Sequence, residues 1–201
     1  MWFYRLAMWV TGIIYHIRNR LTYEGVENIP TTGGFIMACN HRSMSDPVII
    51  AQKVKPPIHY MAKEELFRNK FVSFIIRHLN AFPVERGAGD TGAIQKAIDV
   101  INQGDVLGIF PEGTRSKDGK LLRPKSGLAF VAKMTHADIL PVCIIFDGEP
   151  RFGCKVTVRY GKIIPYEALG FTEDGGTKEI REASKLVMEH IAALMEDKPC
   201  L

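Results

Sequence analysis

Short apolar runs alternate with segments of helical period along most of this chain. That alternation limits the fold more than any other feature. Residues 35–38 (Phe-Ile-Met-Ala), 58–61 (Ile-His-Tyr-Met), 106–110 (Val-Leu-Gly-Ile-Phe) and 139–146 (Ile-Leu-Pro-Val-Cys-Ile-Ile-Phe) read as short strands. Residues 64–78, 91–102, 126–135 and 177–196 read as helices. Leu66, Phe67, Phe71, Phe74, Ile75 and Leu79 form the apolar stripe of the first, and Ile180, Ala183, Val187, Ile191 and Leu194 that of the last. Strands that alternate with helices predict an α/β domain: a central mixed, mostly parallel sheet flanked by helices. At 201 residues the chain is long enough for one full core, so a single domain is expected.

Finer features follow from particular residues. Pro141 predicts an edge or bulged position for the 139–146 strand. Residues 82–86 (Phe-Pro-Val-Glu-Arg) make a poor strand. Residues 154–160 alternate, with Val156 and Val158 opposite Lys155, Thr157 and Arg159, as in a strand with one wet side. Residues 21–34, with Gly25, Pro30, Gly33 and Gly34, read as a connector.

Residues 2–17 carry Trp2, Phe3, Leu6, Trp9, Val10, Ile13, Ile14 and Ile17 on one helical face, with Arg5, Thr11, Gly12, His16 and Arg18 opposite. The run is too short and too interrupted for the ~20 apolar residues of a spanning helix. Trp and Arg on an amphipathic helix suit a bilayer interface. The expected organisation is therefore a membrane-interface helix over 1–20 and a folded domain over 21–201. The formal charge of +4 is too small to argue for nucleic acid, and none is expected. It fits an anionic membrane surface or a phosphorylated ligand. The four cysteines have no CxxC spacing, and a reducing compartment is the default.

The stretch 40–47, Asn-His-Arg-Ser-Met-Ser-Asp-Pro, joins the 35–38 strand to a helix that opens at Pro47. On one continuous helix His41 and Asp46 would stand about 140° apart. Across a strand–loop–helix turn they can meet. A carboxylate that holds one imidazole nitrogen as N–H leaves the other free to take a proton. That arrangement suits an enzyme whose nucleophile is the substrate's own hydroxyl. Spacing alone allows a plainer arrangement, with Asp46 as a helix cap and His41 as a loop polar group.

Other motifs compete. Gly87-Ala88-Gly89-Asp90-Thr91-Gly92 matches the dinucleotide fingerprint, which would make a nicotinamide-dependent oxidoreductase. The preceding segment 82–86 holds a proline and two charges, which argues against it. Residues 113–120 resemble a P-loop but hold one residue too many, and Leu121 stands where Ser or Thr should be. No GxSxG elbow is present, and the remaining histidines lack metal-ligand spacing.

Taken together, Asn40–Asp46, the 82–86 segment, Phe110-Pro111-Glu112-Gly113-Thr114-Arg115-Ser116 and Leu140-Pro141-Val142 resemble the four blocks of the glycerolipid acyltransferase family, and within it the small bacterial 1-acylglycerol-3-phosphate acyltransferases. The blocks stand in the family's order over residues 35–146. Asn80-Ala81 departs from it, because many members carry a glycine there. The resemblance implies transfer of an acyl group from acyl-CoA or acyl carrier protein to a lysophospholipid hydroxyl at the cytoplasmic face of the cell membrane. It implies His41 and Asp46 as the catalytic pair. Lys63, Arg86 and Arg115 would hold the acceptor phosphate, and Glu112, Gly113 and Thr114 would belong to acceptor binding. No metal or cofactor is expected, and backbone N–H groups of the 41–47 loop are the expected oxyanion donors. The acceptor expected is 1-acylglycerol 3-phosphate (lysophosphatidic acid), with glycerol 3-phosphate or another lysophospholipid as alternatives. A non-catalytic lipid-binding protein would use the same helix and basic loops.

Overall fold

The computed structural model describes residues 2–85 and 90–196. Among them are seven strands: β1 (Arg20–Glu24), β2 (Ile36–Cys39), β3 (Ile58–Lys63), β4 (Ala81–Val84), β5 (Val106–Ile109), β6 (Ile139–Phe146) and β7 (Lys155–Tyr160). They form one sheet in the order β1-β7-β6-β2-β5-β3-β4. All pairs are parallel except β6 with β7. Strands β2 to β6 therefore end at one edge. The helices are α1 (Trp2–Arg18), α2 (Asp46–Ala51), α3 (Lys70–His78), α4 (Thr91–Asn102), α5 (Gly127–Thr135) and α6 (Thr177–Met195).

Strand β2 is buried along its whole length, as a doubly covered central strand must be. Ile36 and Ala38 face one core with α4, α5 and α6, where Ala97, Leu128, Val131 and Val187 lie. Met37 and Cys39 face the other core, with Ile49 and Ile50 of α2 and, at its margin, Met8 and Tyr15 of α1.

Four expectations need correction. Residues 20–24 belong to the sheet: β1 pairs with β7, and only Leu21 and Tyr23 point inward, so the apolar signal was two residues long. Strand β6 is interior, not an edge, and Pro141 is buried within it. Its carbonyl accepts from Gly161 N–H (2.8 Å), so its missing N–H falls on the same side, opposite the place where β7 has already ended. The 64–78 helix is broken into a 3-10 turn (Glu64–Phe67) and α3, because Asn69 accepts from the N–H groups of Phe71 and Val72 and starts a new helix. The stripe of α3 is not core either. Phe71 is 74% and Phe74 56% exposed, and α3 buries no residue fully.

Asn80, where the family often carries glycine, has φ 59. Asparagine is among the few other residues that reach this left-handed region.

Helix α2 is too short to satisfy its own carbonyls. Tyrosine hydroxyls from three strands do so: Tyr60 donates to Pro47 O (2.9 Å), Tyr23 to Ile49 O (3.3 Å) and Tyr160 to Ile50 O (2.8 Å). Burial pushes the Tyr23 hydroxyl up to about 12 and those of Tyr60 and Tyr160 well above their ordinary value, so all three remain donors. These bonds fix α2, and with it Asp46, against the sheet. Tyr160→Phe should lower stability by about 1–2 kcal/mol, because Ile50 O is left buried without its donor. Urea unfolding should show a lower midpoint at unchanged slope. An unchanged midpoint would remove the tyrosines from this role.

Candidate active site

His41 stands just beyond β2, and Asp46 opens α2. Asp46 is fully buried. Its Oδ2 accepts from three donors: the backbone N–H groups of Arg42 (2.6 Å) and Ser43 (2.7 Å) and the imidazole Nδ1 of His41 (2.8 Å). An oxygen that already accepts two N–H groups needs a donor as its third partner. Nδ1 therefore carries a proton, and in the neutral ring Nε2 holds the lone pair. The ring stacks on Phe110 at 4.1 Å between centroids, inclined by 22°. Phe110 stacks in turn on Tyr60 at 6.1 Å. Gly108 lets the Tyr60 ring lie against β5, because a Cβ there would overlap the ring.

The 110–116 segment holds the His41 backbone from two sides. Glu112 Oε1 accepts from His41 N–H (2.8 Å), and Ser116 N–H donates to the His41 carbonyl (2.8 Å). Glu112 Oε2 accepts from Leu122 N–H (2.9 Å), which ties down the following loop. Glu112 is only 2% exposed. Burial raises its pKa above the ordinary 4.5, and the two backbone donors oppose that rise. Its neutral form therefore contributes stability at low pH that is lost as pH rises through the raised value. Gly113 turns the chain at φ 67, a left-handed conformation, and its N–H returns to Phe110 O (2.9 Å).

Asn40 fixes the end of β2. Its side chain donates to Ile144 O (3.0 Å) and accepts from Ile144 N–H (2.8 Å), so it acts as one more residue of sheet pairing with β6.

The residues expected from the sequence separate into two groups. His41, Asp46 and Glu112 share one hydrogen-bonded unit, with Gly113 directly after it. Lys63, Thr114 and Arg115 are exposed at the same sheet edge, Lys63 at the end of β3 and the other two beyond β5. Lys63 Nζ pairs with Glu65 (2.8 Å). Arg86 and glycines 87 and 89 lie outside the described residues. Asp90 beyond them caps α4 with its own carboxylate, which accepts from Ala93 N–H (2.9 Å).

The sequence reading gave no role to Asn40, Phe110 or Ser116, although all three lie within the quoted blocks. Of the expected oxyanion donors, the N–H groups of His41, Arg42, Ser43, Ser45 and Asp46 are taken within the loop or by Glu112, which leaves that of Met44.

The edge thus presents a base with an open nitrogen beside exposed cations. Cys39 and Cys143 are not poised as nucleophiles. Burial pushes Cys143 up to about 12 and Cys39 well above its ordinary value.

Comparison with known proteins gives the family. A family model described as Acyltransferase matches residues 20–145. The chain is 33% identical over 139 residues to the 1-acyl-sn-glycerol-3-phosphate acyltransferase of Bacillus subtilis, covering 69% of each chain. It is 34% identical over 136 residues to the enzyme of that name from Streptococcus pneumoniae, covering 66% of this chain and 50% of that relative. The crystal structure of a 1-acyl-sn-glycerophosphate (LPA) acyltransferase from Thermotoga maritima superposes with a TM-score of 0.70 at 32% identity, over 88% of this chain and 71% of that one. The chain belongs to the acyltransferase family.

Proposed function

We propose that this protein transfers a fatty acyl group from acyl-CoA or acyl carrier protein to the sn-2 hydroxyl of 1-acylglycerol 3-phosphate, giving phosphatidic acid. The observation that carries this reading is the open Nε2 of an imidazole whose other nitrogen is held by buried Asp46. Nε2 takes the proton of the acceptor hydroxyl as its oxygen attacks the thioester carbonyl carbon. The tetrahedral intermediate collapses, the carbon–sulfur bond breaks, and the imidazolium returns the proton to the leaving thiolate. The products are an ester and a free thiol, with no acyl-enzyme. No cofactor is called for, because the thioester is itself a substrate. Lys63, Arg86 and Arg115 hold the acceptor phosphate, which brings its hydroxyl to His41.

The acceptor is a membrane lipid, taken on this reading from the cytoplasmic side, and the surface supports delivery from an anionic bilayer. Helix α1 turns its apolar side outward: Trp2 is 75%, Trp9 65% and Ile17 74% exposed. Its other side faces the protein, with Met8 and Tyr15 at the margin of the core and Thr11 accepting from Gln52 (3.5 Å). Phe3 of α1 packs edge-on to Phe74 of α3 (6.4 Å), so the exposed Phe71 and Phe74 extend the same face. From residue 66 to 79 every charge is basic, and α1 carries no acid. An apolar, acid-free face of this kind fits anionic lipid. Among the described residues no helix is long and apolar enough to cross a membrane.

Thiol release should be measured with palmitoyl-CoA and a panel of lysophosphatidic acid, glycerol 3-phosphate and other lysolipids. Release should depend on lysophosphatidic acid, and His41→Ala should lower kcat by roughly 10²–10⁴-fold. Equal release by that variant would refute the mechanism. Binding of lysophosphatidic acid without release by the native protein would make it a lipid-binding protein.

Glu112→Gln places a donor against a backbone N–H and loses one of two buried bonds. Its kcat should fall about 10- to 100-fold with little change in acceptor KM. A raised acceptor KM at constant kcat would return Glu112 to the acceptor site. In vesicle sedimentation, Trp9→Ser with Phe71→Ser should weaken binding to phosphatidylglycerol vesicles about 10-fold or more. Unchanged binding would place the bilayer elsewhere.

A further inference from the structure

Strand β2 brings His41 to the sheet edge between two flanks, β5 on one side and β6 on the other. Lys63 and Arg115, given to the acceptor phosphate above, belong to β3 and to the loop beyond β5. The β6 flank has a cleft of its own, about 440 Å³ in volume, lined by neither Lys63 nor Arg115. It opens between the residues just after β2, the 118–120 turn and the chain leaving β6, with the end of α6 closing it at Met195.

Arg42, next in sequence to His41, lines this cleft. Its side chain is only 9% exposed, yet Nη1 has no hydrogen-bond partner among the described residues. Nη2 lies 3.8 Å from Glu149, beyond hydrogen-bond length, and that carboxylate is 77% exposed. A guanidinium withdrawn this far from water calls for a matched anion, and a well-hydrated carboxylate at long range is a poor one. The Arg42 backbone N–H is bound by Asp46, and Gly119 at φ 84 lies close over the side chain: a Cβ there would stand 3.0 Å from Nη1.

The rest of the lining separates by chemistry. Asp118 is engaged by the Ser116 hydroxyl (3.2 Å) and the Lys120 N–H (3.2 Å). Lys120 puts a second cation on the rim, and the half-buried Ile145 and Phe146 supply an apolar wall. A planar guanidinium with a neighbouring ammonium matches phosphate, and the apolar wall suits an uncharged arm attached to it.

We propose that this cleft binds the acyl donor by its phosphopantetheine: the phosphate pairs with Arg42 and Lys120 in place of Glu149, and the thioester reaches His41 from the β6 side. Donor and acceptor then approach one imidazole from opposite flanks. The inference rests on the acyl-transfer reading above. Acyl-CoA and acyl carrier protein share the phosphopantetheine, so both are candidate donors.

The test compares thiol release from palmitoyl-CoA, palmitoyl carrier protein and palmitoyl-pantetheine, which lacks the phosphate, with lysophosphatidic acid as acceptor. The native protein should prefer the phosphorylated donors by about 10-fold or more in kcat/KM. Arg42→Ala should bring that ratio close to one, and Lys120→Ala, on the exposed rim, should lower it by a smaller factor. Glu149→Gln removes the competing carboxylate and should lower the KM of the phosphorylated donors. Loss of preference for both donors identifies the shared phosphate. Loss for palmitoyl-CoA alone identifies the nucleotide diphosphate, and loss for the carrier protein alone its phosphodiester. A donor ratio unmoved by all three substitutions, or a rise in acceptor KM instead, overturns the cleft assignment and leaves acyl transfer standing. A native protein that releases thiol from none of the three donors overturns both.

Discussion

One carboxylate oxygen organises the active edge. Asp46 Oδ2 gathers the N–H groups of Arg42 and Ser43 with the imidazole of His41. The two backbone bonds shape the loop, and the third aims the ring. A single buried atom thus sets loop conformation, ring orientation and tautomer together. Charge-assisted bonds of this kind are stronger than neutral ones and more costly to leave unmade in a low-dielectric site. The tyrosine hydroxyls beneath α2 serve the same end, because Asp46 is only as fixed as the short helix that carries it.

The block Phe110–Ser116 is the second half of the device. Phe110 supports the ring face, Glu112 takes the His41 N–H, and Ser116 returns a donor to its carbonyl. Three of its seven residues therefore act on His41 from the loop beyond β5. A raised carboxylate pKa is often taken as a sign of acid–base catalysis. At Glu112 burial explains it, and both carboxylate oxygens already face backbone donors.

Much of the architecture was legible because the central strands are buried on both faces and so read as unbroken apolar runs. What the sequence hid has local causes. Strand β1 shows two inward residues, Leu21 and Tyr23, among polar ones. Pro141 looked like an edge signal because the sequence does not reveal that β7 ends beside it. The stripe on α3 was visible, but periodicity reports an apolar face and not whether protein or lipid covers it. At the site, the pairing of His41 with Asp46 was readable from type and spacing. The roles of Asn40, Glu112 and Ser116 were not, since each depends on a contact with a different strand or loop: Asn40 with Ile144, the other two with His41.

The central claim is that His41 rests with its proton on Nδ1 and a bare Nε2. Nitrogen-15 labelled histidine reports this directly by two-dimensional NMR at neutral pH, with His41→Ala to assign the signals. The account predicts, for the neutral form of the ring, a strongly deshielded, exchange-protected Nδ1 proton and an Nε2 shift typical of an unprotonated nitrogen, with the Nδ1 proton lost from protection in Asp46→Ala. A neutral ring protonated at Nε2, or an Nδ1 proton indifferent to Asp46→Ala, would contradict it.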